Sequence, residues 1–155
     1  MTQLSQSSEP AVSKLLEADE NDLYRQLASR VEAIKSDPLE SANFDAAGVD
    51  PAKIAGLGLD LLSLGKRIFN RWNREAHALL CGGDPDDQQQ REELSNAFEL
   101  GDVAIAACIS GLLISSFGLA PAIATVISAI LVKRFLKGAF EEFCDAWRES
   151  LPAST

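Results

Sequence analysis

The sequence is poor in the residues from which catalytic and metal sites are built. It holds one histidine, one tyrosine, two tryptophans and three cysteines in 155 residues. Cys81, Cys108 and Cys144 lie far apart and make no CxxC spacing, which argues against a zinc site and against a disulfide framework. Dispersed thiols of this kind fit a reducing compartment, so a cytoplasmic chain is expected, one that could meet the inner face of a membrane. The N-terminal MTQLSQSSEPAVSK lacks an early basic cluster followed by an apolar segment, so no secretory signal is expected. Aromatics make up 6% and the net charge is −9, which leaves little for stacking on or neutralising nucleic acid.

The one histidine, His77, sits four residues before Cys81, on the same helix face. A nucleophilic relay would have to use that pair, yet no oxyanion donors or third partner accompany it. The reading is two ordinary residues near a helix end. Gly65-Lys66 imitates a phosphate loop, but Arg67 stands where a hydroxyl is needed and Asp60 where the first glycine belongs. No ExxH pair marks a helical di-iron site. No catalytic residue, metal, cofactor or small-molecule substrate is expected, and the chain is read as a non-enzyme.

What the sequence does have is helical periodicity and one long uncharged run. Leu23, Leu27, Val31 and Ile34 repeat at four, four and three, the stripe of an amphipathic helix that Pro38 should stop. Asp50-Pro51 should open a second helix, with Ile54, Leu57, Leu61, Leu64, Ile68 and Trp72 on one face and Cys81 to Gly83 at its end. Gly56, Gly58 and Gly65 inside it imply close approach of a neighbouring helix, or a kink. A third helix should run from Asp84-Pro85 into the apolar run, and a fourth from Pro121 to about Ser150, with Val132, Leu136, Ala139, Phe143 and Trp147 as its stripe. The fold expected is all-α: four to five helices around a central apolar hairpin. Residues 1–9 should be a flexible tail, 10–150 one helical domain and 151–155 a C-terminal tail.

The uncharged run extends from Val103 to Val132. One straight helix of that length would reach about 45 Å, against roughly 30 Å for a bilayer core. Gly118 and Pro121 interrupt it, and each half is too short for an ordinary span. A hairpin fits better. Ala107, Gly111 and Ser115 on the first arm, and Pro121, Thr125 and Ala129 on the second, form rows of small residues that let two backbones approach. Both arms are apolar nearly all round, so they are buried in protein or in lipid. The plan resembles that of pore-forming helical proteins, which carry an apolar hairpin inside an amphipathic shell; the likeness is one of hydropathy and rests on no motif.

Charge falls in blocks around this run. Residues 51–83 carry five basic and two acidic side chains, residues 84–102 one basic and seven acidic. Arg67, Arg71 and Arg74 share a helix flank and should pair with acids of the N-terminal helix or of residues 84–93, or else dock an acidic partner or lipid headgroups. Lys133, Arg134 and Lys137 directly follow the run and are candidates for headgroup or partner contact. The function expected is interaction through the hairpin, by membrane insertion or self-association, as in a membrane-active effector. The partner is another protein or a second copy, or a membrane. The alternative is an adaptor or structural subunit whose hairpin stays in its core.

Overall fold

The computed structural model describes residues 3–36, 61–82, 85–136 and 138–151. They form an all-α bundle around a central apolar hairpin. Its helices are α1 (Gln3–Leu15), α2 (Glu20–Ser36), α3 (Leu61–Cys81), a 3-10 turn at Pro85–Asp87, α4 (Gln88–Ala97), α5 (Asp102–Phe117), α6 (Pro121–Phe135) and α7 (Phe140–Ser150). The Asp50-Pro51 start, Gly56, Gly58, Pro38, Gly83, Lys137 and the terminal residues 152–155 lie outside the described residues.

Local chemistry explains the boundaries. Asp19 accepts the backbone N–H of Asp22 at 2.8 Å, and this cap opens α2. Gly118 ends α5 in the left-handed conformation at φ +65°, and its N–H bonds the Ile114 carbonyl at 3.0 Å. Pro121 then starts α6 at a position where its missing N–H costs nothing. The chain reverses there, and α5 packs against α6.

The helices are more numerous than expected, because two long elements are broken. The third ends in a turn at Phe98–Leu100, and Gly101 at φ +108° precedes α5. The fourth stops at Phe135; extended Leu136 and left-handed Gly138 at φ +69° separate it from α7. At the N-terminus Gln3–Leu15 is helical and lies along α5, with Ser8 buried and its hydroxyl donating to that of Ser110 at 3.1 Å. Local pattern does not reveal this contact, since the partner for Ser8 lies 102 positions away.

In α5 every residue from Ala104 to Leu113 is buried, and in α6 every residue from Ala122 to Val132. A Leu or Ile withdrawn fully from water contributes roughly 1.5–3 kcal/mol, and Ile109, Leu113, Ile127 and Ile130 are among those buried to 1% or less. Around the hairpin, α1 and α4 cover α5, while α1, α2 and α7 lie against α6; α3 packs on α2, α4 and α7. Gly65 is the close-approach glycine of α3: a Cβ there would run into the carbonyl of Tyr24 in α2.

Candidate functional site

The hairpin buries some of the expected small residues and leaves others exposed. Ala107, Gly111, Thr125 and Ala129 are all buried. Ser115 is not; it is exposed, and its hydroxyl bonds the Leu112 carbonyl of its own helix at 3.3 Å. Gly118 stands exposed at the turn and Pro121 is half-buried. On the first arm the buried small residues therefore end at Gly111.

A guanidinium that no pattern revealed reaches the second arm. Arg30 of α2 is 5% exposed, and its Nη1 donates to the Ala122 carbonyl at 3.0 Å and to the Thr125 hydroxyl at 3.4 Å. Thr125 in turn donates to the Pro121 carbonyl at 3.0 Å. In a stripe-based reading Arg30 stands on the polar side of Leu27 and Val31. Its long apolar stem lets the head cross onto α6 and meet carbonyls there.

At the base of the hairpin, Arg134 is partly buried and held by α2. Its Nε lies 3.2 Å from Glu20 Oε1, Nη1 donates to the Tyr24 hydroxyl at 2.9 Å, and the head lies over the rings of Phe135 and Phe69. Burial raises the Tyr24 pKa above 10.0; Arg134 opposes that shift and Glu20 adds to it. Lys133 is exposed. A polar groove of about 470 Å³ opens here, lined by Glu20, Tyr24, Lys66, Asn70, Arg134 and Ser150 among others.

The basic flank of α3 faces solvent. Arg67, Arg71 and Arg74 are all exposed, and neither Arg67 nor Arg71 makes an ion pair among the described residues. Arg71 lies over the Trp72 ring, 6.0 Å from its centroid.

The cysteines overturn their sequence reading. Cys81, the last residue of α3, is joined to Cys144 of α7 in a disulfide across 63 positions, with the Cα atoms 5.6 Å apart. Spacing rules see only neighbours in sequence, and this pair is made by the docking of α7. His77 belongs to the same place. Its Nε2 donates to the Cys144 carbonyl at 3.3 Å, and its ring meets Trp147 edge-on at 5.0 Å. Because a carbonyl only accepts, Nε2 carries the proton and Nδ1 the lone pair in the neutral ring. Burial lowers the His77 pKa below 6.5; the Cys144 carbonyl opposes this, and Arg148 adds to it. The disulfide and His77 line an open groove of about 260 Å³ with Phe140, Glu141, Asp145 and Arg148. The third cysteine, Cys108, is a buried free thiol in α5, pushed up to about 12 by burial and by the Glu93 carboxylate of α4.

Among the described residues, no group of three His, Cys, Asp or Glu side chains is placed to hold a metal ion. No helix of the described residues is long and apolar enough to cross a membrane. No protein-family model matches the chain, and neither a curated protein nor a solved structure shows significant similarity to it.

Proposed function

We propose that the protein acts by interaction rather than catalysis, storing the α5–α6 hairpin inside its shell and delivering it to an anionic membrane surface when the shell opens. One observation carries this reading: two consecutive helices are withdrawn from water round their whole circumference, 104–113 and 122–132, beneath short amphipathic covers. A helix apolar all round is at home in lipid as well as in protein. The arms have 16 and 15 residues, about 24 and 22 Å by helical rise. Such a hairpin would seat in a bilayer from one side without crossing it. Lys133 and Arg134 at its base would then meet headgroups, Arg134 once it leaves Glu20 and Tyr24.

The state of the His77–Cys81 pair, the one nucleophilic relay the sequence offers, supports this reading. His77 is tied to a backbone carbonyl, and Cys81 and Cys144 are joined to each other.

Flotation with anionic vesicles and dye release from them test the proposal. Binding should appear at low salt after mild destabilisation, weaken as salt rises, and fall when Lys133 is replaced by Gln, by about 1 kcal/mol for that charge. A protein that ignores vesicles at low salt, even when destabilised, overturns it. The competing reading, a permanent core in an adaptor or self-associating subunit, draws on the bonds from Arg30 to α6. Concentration-dependent oligomers without vesicle binding would favour that reading.

A further inference from the structure

We propose that the Cys81–Cys144 bond is a thiol–disulfide exchange site, taking a dithiol reductant, whose opening releases α7 and α4 from the hairpin. This rests on the reading of the hairpin as a stored functional element.

Access comes first. Both cysteines are half-buried and line an open groove beside exposed Glu141, Asp145 and Arg148, so a small thiol reaches them from solvent. Cys108 is buried in α5 and stays outside the exchange. In the reaction, one thiolate of the reductant attacks a sulfur of the pair. The S–S bond breaks, a mixed disulfide forms, and the expelled cysteine takes up a proton. The second reductant thiol then attacks the mixed disulfide and frees the other cysteine. Two electrons and two protons pass from the dithiol to Cys81 and Cys144, and the reductant leaves as its own disulfide.

The mechanical consequence follows from what the bond holds. The helix α7 has 11 residues, short of the roughly 12–15 that an isolated helix needs. It follows the left-handed Gly138 and is fixed by Phe143, Trp147 and the disulfide. Phe98, just after α4, packs edge-on against both Phe140 and Phe143 of α7, at 5.6 and 5.4 Å. The 10-residue α4 buries only Leu94 and Ala97 of its own. Through Phe98 the end of α4 leans on α7, and α7 is held by the disulfide together with buried Phe143 and Trp147. Lifting α4 would strip one of the two covers, α1 and α4, from the helix that holds Cys108.

Cys108 makes the test internal. The intact chain is treated with a maleimide before and after dithiothreitol, and each labelled cysteine is mapped by mass spectrometry. Before reduction no cysteine should label. Afterwards Cys81 and Cys144 should label and the Cys108 rate should rise at least tenfold, with helical circular dichroism falling by no more than the share of α4 and α7. In the oxidised protein, Phe98→Ala alone should raise the Cys108 rate severalfold. The proposal is overturned by a Cys108 that stays protected once Cys81 and Cys144 have reacted, by Cys81 or Cys144 labelling without reductant, by collapse of most of the helical signal on reduction, or by a Phe98→Ala protein as protected as its parent. Dye release separates the two ideas. Release from anionic vesicles only after reduction supports both. Equal release in both states overturns the exchange site's control and spares the membrane reading. Cys108 opening with no vesicle binding in either state supports the exchange site and removes the membrane reading.

Discussion

Trp147 donates its indole N–H to Oδ1 of Asn73 at 2.6 Å, and the two side chains are 0% and 5% exposed. The bond locks α7 onto α3 and orients the indole for stacking on Phe135 and edge contact with His77. Replacing Asn73 with Leu leaves a buried indole N–H without a partner, at a cost of about 1–3 kcal/mol. Denaturant unfolding followed by tryptophan emission measures it. A double-mutant cycle with Trp147→Phe should show a coupling well above the error of the single values.

Gly65→Ala sets two effects against each other. Alanine favours the helix by about 1 kcal/mol. The added methyl would collide with the Tyr24 backbone, which cannot swing aside as a side chain can. Overpacking of this kind costs about 1–3 kcal/mol, so the substitution should destabilise. An unfolding midpoint higher than the parent's would show that α2 and α3 separate freely.

The disulfide encloses a long loop, and loop closure of that length is worth about 4 kcal/mol by chain entropy. Reduced protein should unfold at distinctly lower denaturant than oxidised protein. Matched titrations with and without reductant read the difference directly.

His77 should leave a mark on the acid side of the stability profile. Its folded-state pKa lies below the ordinary 6.5, chiefly through burial, so the unfolded chain binds the proton first. The contribution is whole above about pH 6.5 and is lost as pH falls from there through the folded-state value. His77→Gln should flatten the decline in that window, and urea midpoints across it supply the test.

Lys133→Gln and Arg134→Gln should differ although the residues are neighbours. Lys133 is exposed, and its loss should shift stability within about ±0.5 kcal/mol. Arg134→Gln removes the hold on Glu20 and Tyr24, but the pair is partly exposed, so the added loss stays near 1 kcal/mol. Thermal melts of the two variants side by side check the order.

What could be read from the sequence was what local chemistry dictates. Gly118 and Pro121 state a left-handed stop and a helical start within four residues, and the hairpin follows from them. The Leu23–Leu27 stripe is likewise a local periodicity, and both residues are fully buried. The Leu136–Ala139 break was missed because Val132, Leu136 and Ala139 keep helical spacing across it, while the helix ends at Phe135 with Leu136 extended and Gly138 left-handed beyond it. Residues whose roles depend on distant partners were illegible. Ser8 meets Ser110, Arg30 reaches Ala122, and Cys81 meets Cys144, each across more than 60 positions. The Arg134 clamp was hidden by its position after an apolar run, where a basic residue reads equally well as a headgroup contact.

The disulfide also decides how the chain responds to being pulled. A motor or an optical trap gripping the two termini of the oxidised protein loads α1, α2 and α3 and then passes from Cys81 directly to Cys144. The hairpin lies inside the covalent ring and carries none of the tension. Roughly 200 Å of contour length stays out of reach until the bond is cut. A machine that unfolds proteins by threading them would meet a closed loop there, so the most apolar segment of the chain is the part that force at the chain ends cannot extract.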